Sequence, residues 1–224
     1  MKTLFFFFAL LHICSLSMAQ VSTFQIDSSK FNKLLMVTLD SLYKQDQVPR
    51  NKYGNAAYSK QSPHVIDSLE KIMRDADARN LIVVNKIIAQ YGWLGPEKVG
   101  VNASEALFLV IQHADLKTQK TYLPMIRTAE KNGETLSSNL AILEDRINMR
   151  EGKAQLYGSQ GFTDKQTGKK YIYPVKDVDH LEERRKAMGM TAMKDYFKGW
   201  DLEDYKKSLP EIVKAAQQQG ILSK

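Results

Sequence analysis

Apolar residues recur at helical spacing along almost the whole chain, and this periodicity limits the fold more than any other feature. Leu35, Leu39 and Leu42 lie three or four positions apart, and similar stripes follow as far as the C-terminus. Side chains at this spacing share one face of an α-helix, so each stripe predicts an amphipathic helix. Glycine, proline and capping residues separate the stripes, which indicates several helices packed around a shared core.

The predicted helices cover residues 31–48, 63–91, 103–114, 116–132, 136–151, 178–188, 191–197 and 202–219. Pro49 is expected to end the first helix, because proline disfavours helical backbone in the residue before it. Residues 50–61 then form a polar loop. Asp115 is expected to cap the fourth helix, and Asn102 with Glu105 resembles a capping box for the third.

The hydrophobic period changes once, between residues 154 and 175. Residues 154–162 and 169–175 are expected to be extended, with a polar loop between them, which predicts a β-hairpin. The fold class is therefore mainly α: a compact multi-helix domain with one β-hairpin inserted before the C-terminal helices. We expect a single helical domain over residues 20–200, followed by a C-terminal helix over residues 201–224.

The N-terminus is typical of a secretory signal peptide. Lys2 precedes a short apolar run at residues 4–11, and Ser17-Met18-Ala19 supplies the small residues of a cleavage site. The run is too short to span a membrane. We expect cleavage after Ala19, export to the periplasm or the exterior, and no transmembrane segment in the mature chain. Cys14 is the chain's one cysteine, so export would leave no disulfide, thiol nucleophile or cysteine-ligated metal.

Charge and motifs exclude several other classes. The net charge is +7, but the basic residues are dispersed among acidic ones, so we expect no nucleic-acid partner. The remaining histidines, His64, His113 and His180, are widely spaced without an HExxH motif, so no metal site is expected. No GxSxG or glycine-rich phosphate loop occurs, and no cofactor is expected. The sequence leaves the oligomeric state open.

Polar side chains interrupt the apolar helices, and these are the candidate site residues, because a buried polar group is costly unless a partner or ligand satisfies it. His113 ends an apolar stripe and could act as a general base near neutral pH. It could equally be a satisfied core histidine. Gln112 could offer its amide to a ligand or to a neighbouring backbone.

Asp145 and Arg146 form a second candidate pair. As neighbours on a helix they point about 100° apart, so each needs its own partner. Asp145 could orient His113, as an acid orients the imidazole of a catalytic triad. Arg146 could hold a carboxylate or phosphate bidentately. Two interhelical salt bridges are the structural alternative.

The third candidate region lies on the predicted hairpin. In a strand, Gln155, Tyr157 and Ser159 would share one face, and Gln160 would point to the other. Gly158 would allow a ligand or another backbone to approach closely. These residues could line a pocket for sugar hydroxyls or peptide amides, or belong to an amphipathic hairpin packed on the helices.

Several of these motifs occur in one order that resembles an uncharacterised bacterial family, catalogued as a domain of unknown function. They are Asp46-Gln47-x-x-Arg50, Gly92-Trp93, Gln112-His113-Ala114-Asp115, Asp145-Arg146, Gln155-x-Tyr157-Gly158-x-Gln160, Tyr173-Pro174-Val175 and Arg184-Arg185-x-x-x-Gly189. The resemblance implies a bacterial protein but no activity, and the style of the signal indicates the Bacteroidetes group. Asp46, Gln47, Arg50 and Trp93 thereby join the candidate ligand-binding residues.

The chain departs from the family pattern at two positions. Leu94 stands where such proteins usually carry proline after Gly92-Trp93, so a different turn is expected there. Pro49 lies between Asp46 and Arg50, and we expect it to prevent a simple helical salt bridge between them. Tertiary contacts would then hold the pair, which favours a site.

Three hypotheses about function follow. The first is an exported protein that binds a small polar ligand, glycan or peptide in a cleft lined by Gln112, His113, Arg146, Gln155 and Tyr157. The second is a hydrolase acting on envelope material, with His113 as general base and Asp145 as its orienting acid. The third is a structural or interaction protein without a ligand site.

Overall fold

The computed structural model describes residues 26–223, so the predicted signal peptide lies outside the described residues. The helices in this range are α1 (Lys33–Tyr58), α2 (Pro63–Tyr91), α3 (Pro96–Val99), α4 (Val101–His113), α5 (Leu116–Lys131), α6 (Ser137–Arg150), α7 (Leu181–Ala187), α8 (Met193–Tyr196) and α9 (Leu202–Gln218). Short 3₁₀ turns at Ser28–Lys30 and Val178–His180 complete the helical elements of this range.

The predicted fold class is confirmed: the protein is mainly α with one hairpin before its C-terminal helices. Strands β1 (Gly161–Thr163) and β2 (Lys170–Ile172) pair antiparallel, and Phe162 lies opposite Tyr171. Across the described residues, no helix is both long and apolar enough to cross a membrane.

Helix α4 forms the centre of the larger core. It packs against α1, α2, α5 and α6, and Leu107 and Ile111 on it are completely buried. Its sequence is apolar nearly all round, which suits a helix surrounded by others. Burial of each such side chain contributes about 1.5–3 kcal/mol relative to exposure. Because His113 is the last residue of α4, this packing fixes its position.

A smaller core joins the hairpin to the C-terminal helices. Tyr171 and Ile172 of β2 pack with Tyr205 and Ile212 of α9. The backbone N–H of Val175 donates to the Tyr205 hydroxyl at 2.9 Å. Helix α9 is thereby attached to the hairpin by both apolar packing and a buried hydrogen bond.

The predicted end of the first helix at Pro49 is wrong. Helix α1 continues through Pro49 to Tyr58, so residues 50–58 are helical rather than a loop. Proline removes the hydrogen bond to the carbonyl of Gln45, but α1 packs against both α2 and α4, and these contacts offset the loss. As a result Asp46 and Arg50 lie one helical turn apart, with Arg50 Nη2 3.5 Å from Asp46 Oδ1.

The predicted strand over residues 154–162 is also mostly wrong. Pairing in this segment is limited to the isolated bridge of Gln155 with Val175 and to β1 itself. Residues 156–159 instead form a turn around the carboxylate of Asp145. The backbone N–H groups of Leu156, Tyr157 and Ser159 thus bond to a helix residue instead of a neighbouring strand.

The two predicted helix caps differ in outcome. Asp115 caps α5 as expected, and its carboxylate accepts the Thr118 N–H at 2.7 Å. Asn102 does not cap α4, because the helix already begins at Val101 after Gly100. Gly100 has φ +85°, a conformation that favours glycine, so the chain turns into the helix two residues before Asn102.

Candidate functional site

Helices α1 and α4 bring Asp46 and His113 into direct contact. The side chain of Asp46 is completely buried, and its Oδ1 lies 2.8 Å from His113 Nδ1. Asp46 also accepts a hydrogen bond from the Gln47 side chain at 2.6 Å. Burial acts to raise the pKa of Asp46, but its hydrogen bond with His113 and the charges of His113 and Arg50 outweigh burial and lower it. Asp46 is therefore ionised and orients the imidazole.

Arg50 lies against the imidazole of His113. Arg50 Nε is 3.0 Å from His113 Nδ1 and 3.3 Å from Nε2. One nitrogen cannot donate to Asp46 and accept from Arg50 at once. Nδ1 must therefore carry the proton that reaches Asp46, and Nε2 has the lone pair available to the Arg50 N–H. In neutral His113 the atom needed for general-base chemistry is thus covered by a cation.

Asp77 of α2 completes this network. Arg50 Nη2 donates to Asp77 Oδ1 at 2.7 Å. Potential ligand atoms of Asp46, Asp77 and His113 all lie within 4.8 Å of one another, a spacing compatible with a metal ion. Arg50 contacts all three residues, so the protein already supplies a positive charge there. A metal ion at this position would require Arg50 to move away.

Arg146 of α6 faces the same region without an acidic partner. Its Nε is buried and has no hydrogen-bond partner among residues 26–223. Burial lowers the pKa of Arg146 to about 10, and the positive charges of Arg150 and Arg50 add to this effect. It remains protonated near neutral pH. A partly buried guanidinium without a counter-charge is costly, and an anionic group could offset that cost.

A cleft of about 420 Å³ lies between α1, α2, α4 and α6. This volume falls in the range of small-molecule sites. The lining side chains are Arg50, Tyr53, Glu70, Met73, Arg74, Asp77, His113 and Arg146.

Five of these lining residues were not among the candidates predicted from the sequence. Tyr53 fell within the predicted loop, and the other four belong to α2: Glu70, Met73, Arg74 and Asp77. Residues three, four and seven apart on one helix share a face, which was the available signal. It could not be distinguished from an ordinary solvent-exposed face, because α2 carries many other charged residues.

Asp145 does not orient His113. Its carboxylate accepts the backbone N–H groups of Leu156 at 2.7 Å, Tyr157 at 3.0 Å and Ser159 at 3.0 Å, and also the Ser159 hydroxyl at 2.9 Å. Burial raises its pKa, although these hydrogen bonds oppose the shift. The Asp145 side chain therefore acts as the centre of the turn at residues 156–159. The carboxylate that contacts the imidazole of His113 belongs to Asp46 instead.

The two glutamines of the third candidate region are internal supports. Gln155 is completely buried; its Nε2 donates to the carbonyls of Gln160 at 2.9 Å and Tyr173 at 2.7 Å. Its Oε1 accepts the Gln160 N–H at 2.8 Å. Gln160 is itself buried, and its amide donates to Ser159 at 2.9 Å. All three hydrogen bonds of the Gln155 side chain are made with backbone groups, so neither of its polar atoms is directed to a ligand.

Tyr157 and Gly158 also lie outside the cleft lining. Burial raises the pKa of Tyr157 to about 12, with further contributions from the charges of Glu144 and Asp145. Gly158 has φ +68°, and a Cβ there would lie 3.2 Å from the Met193 sulfur. The close approach predicted at this glycine therefore occurs, but it is made by the protein itself.

Gln112 and Trp93 are core residues. Gln112 is buried, and its backbone carbonyl accepts a hydrogen bond from Gln119 at 2.6 Å. Trp93 is buried, and its indole N–H donates to the carbonyl of Glu134 at 3.2 Å. The candidate residues thus separate into two groups. Arg50, His113 and Arg146 line the cleft with Asp46 and Gln47 adjoining, and the others support the fold.

Fold and cleft together define a helical domain with a charged pocket between four of its helices. The model of a family of unknown function, DUF6624, matches residues 34–207. The chain belongs to this family, and the matched range contains every element of the cleft. No curated protein and no solved structure gives a significant match.

Proposed function

We propose that this protein binds a small molecule carrying an anionic group in the cleft between α1, α2, α4 and α6. The observation that carries the proposal is Arg146, whose Nε is buried and has no partner among the described residues. A carboxylate or phosphate oxygen could accept from this N–H and supply the missing counter-charge.

The other two arginines of the cleft already face carboxylates of the protein. This favours a ligand that places a single negative charge beside Arg146. Arg50 faces Asp46 and Asp77, and Arg74 faces Glu70 at 3.5 Å. Arg146 is the cleft arginine that lacks a carboxylate. One carboxylate would balance it, whereas a phosphate dianion would leave an excess negative charge beside Asp77.

The first experiment measures the melting temperature with acetate, succinate and phosphate at low ionic strength. A ligand present at a concentration of 100 times its Kd adds about 2.7 kcal/mol of stability, which raises the melting temperature of a chain of this size by about 5–11 °C. We expect a carboxylate to produce this shift, Arg146→Met to abolish it, and Arg79→Met to retain it. Arg79 is the control because it is exposed on α2, outside the cleft lining, and its replacement removes the same charge.

The proposal fails if no anion stabilises the protein, or if Arg79→Met and Arg146→Met lose the effect equally. The second result would indicate a response to overall charge rather than a site. It would favour the alternative in which the protein is a structural or interaction module without a ligand site.

The Asp46–His113 contact favours a second candidate function, hydrolysis of envelope material with His113 as general base. Asp46 holds the imidazole so that Nε2 is the atom that would take a proton. Arg50 must first leave Nε2, and an anionic substrate group that attracts Arg50 would achieve this. The test is mass spectrometry of envelope fragments incubated with the protein. Products formed equally by wild type and His113→Gln would exclude His113 as the base.

We further propose that the protein is exported, on the basis of the signal pattern at residues 1–19. The ligand would then be met outside the cytoplasm. N-terminal sequencing of the expressed protein is expected to begin at Gln20, and Ala19→Arg is expected to retain the full-length chain. Wild-type protein that keeps Met1 would contradict export by this signal.

A further inference from the structure

The cleft contains a second charged feature, on a different helix from Arg146. Helix α2 packs against α1 and α4, whereas α6 packs against α4 and α5. Glu70 and Asp77 on α2 and Arg146 on α6 therefore line two walls of one cleft. We infer that its ligand is zwitterionic, a free amino acid or short peptide whose carboxylate meets Arg146 and whose ammonium meets Glu70. This inference rests on the proposed function.

The carboxylate of Glu70 can accept further hydrogen bonds. Its contacts are long: the Tyr53 hydroxyl lies at 3.3 Å and Arg74 Nη1 at 3.5 Å. Hydrogen bonds between charged groups are normally about 2.7–2.9 Å. Asp77 shows the contrast, because Arg50 holds it at 2.7 Å. An ammonium group would therefore find Glu70 weakly engaged and Asp77 already occupied.

Tyr53 fits the same assignment. The pKa of its hydroxyl is raised, mainly by burial and then by the charge of Glu70, so it remains a donor near neutral pH. It lies on α1, lines the same cleft and contacts Glu70. It thereby limits the positions that the carboxylate can take, and the other carboxylate oxygen has only the 3.5 Å contact with Arg74 Nη1.

The remaining lining residue suits a variable side chain. Met73 lies between Glu70 and Asp77 in the chain and is partly exposed in the cleft. Methionine is unbranched and adapts to irregular shapes. A cleft of about 420 Å³ accommodates a ligand of dipeptide size. We expect the two charged groups to dominate affinity, and side-chain identity to modulate it.

The test uses isothermal titration calorimetry with glycine, L-lysine, L-glutamate, glycylglycine and L-alanyl-L-alanine. The tightest binder is then compared with its N-acetyl and its C-terminal amide forms. We expect each blocked form to bind about 10- to 100-fold more weakly, the usual effect of losing one charge-assisted hydrogen bond. Glu70→Gln should weaken the free ligand and leave the N-acetyl form unchanged. Asp75→Asn, an exposed change on the same helix, should affect neither.

The outcomes separate this inference from the one on which it rests. If the N-acetyl form binds as tightly as the free amine, the ammonium site is wrong and the anion site stands. The same holds if simple carboxylates bind but none of the five zwitterions does. If neither simple anions nor zwitterions bind, both proposals fall. A loss of dipeptide binding in Glu70→Gln equal to that in Asp75→Asn also overturns the role of Glu70.

Discussion

Asp145 and Arg146 are adjacent in the chain but serve different faces of α6. The carboxylate of Asp145 accepts backbone N–H groups from the turn at residues 156–159, whereas Arg146 lines the cleft with a partnerless Nε. Because the two side chains point in different directions, each needs its own partner. Asp145 has one in the turn, whereas Arg146 Nε has none among the described residues. One side chain supports the fold, and the other is the basis of the proposed anion site.

Asp145→Asn is expected to lower the free energy of unfolding by about 2–4 kcal/mol, because an amide cannot accept the same set of buried N–H donors. Urea denaturation measures the loss. Asp115→Asn is the control, since asparagine caps a helix about as well as aspartate and that site is exposed. Equal losses in the two variants would contradict the role of Asp145 as the centre of the turn.

Arg146→Met and Arg185→Met are expected to have opposite effects on stability. Arg185 is buried and donates to the carbonyls of Thr191 at 2.7 Å and Tyr157 at 2.6 Å, so its loss should cost about 2–4 kcal/mol. Arg146→Met removes a partly buried charge whose Nε has no partner among the described residues, and should leave the unfolding free energy unchanged or raise it by about 1 kcal/mol. Thermal and urea unfolding of both variants checks this. A comparable loss in Arg146→Met would show that it supports the fold.

The acid dependence of stability is expected to contain opposite contributions from Asp46 and Glu105. The pKa of Asp46 is lowered in the folded protein, so its contribution is present above its ordinary value of 3.8 and is lost as the pH falls through the lowered value. Burial raises the pKa of Glu105 above 4.5, so stability at that residue increases as the pH falls through the raised value towards 4.5.

Urea midpoints measured from pH 3 to pH 7 test this pair. Asp46→Asn should weaken the loss of stability in acid. Glu105→Gln should remove a gain in stability on mild acidification, and should stabilise the protein at pH 7, provided that the bond from Asn139 is kept. Parallel pH profiles for the two variants would contradict the opposite directions of their pKa shifts.

Gly158→Ala is expected to be more damaging than Gly133→Ala. Both glycines have φ near +70°, so each alanine incurs about 1 kcal/mol of backbone strain. A Cβ at residue 158 would also press on Met193 at 3.2 Å, whereas nothing lies within 4 Å at residue 133. Crowding of this kind typically costs a further 1–3 kcal/mol. Equal melting temperatures would show that Met193 moves aside freely.

The fold class could be predicted because the helical period and the turn residues are local signals. The failures arose where tertiary contacts overrode them. Pro49 predicts the end of a helix, but α1 continues beyond it because the helix packs against α2 and α4. Residues 155–160 alternate like a strand, yet the donors of this segment are directed to Asp145 on a helix.

The candidate site was partly predictable for a related reason. His113 and Arg146 stood out because they are polar residues within apolar runs, and both line the cleft. Gln155 stood out by the same criterion, but its polar groups serve the backbone. A polar residue in an apolar run has a specific partner, and sequence does not distinguish a ligand from a main-chain carbonyl. Glu70 gave no such signal, because its surroundings on α2 are polar.

Arg50 is shared between Asp46 on its own helix and Asp77 on α2. The contacts among α1, α2 and α4 around Arg50 are therefore redundant. Neutralising one carboxylate leaves the guanidinium with one counter-charge, and neutralising both leaves it with none. A double-mutant cycle of Asp46→Asn and Asp77→Asn is therefore expected to be non-additive, with the double variant losing more than the sum of the singles. We therefore expect Arg50 to keep its position when either acid alone is neutralised, although Asp46→Asn also alters the contact of that side chain with His113.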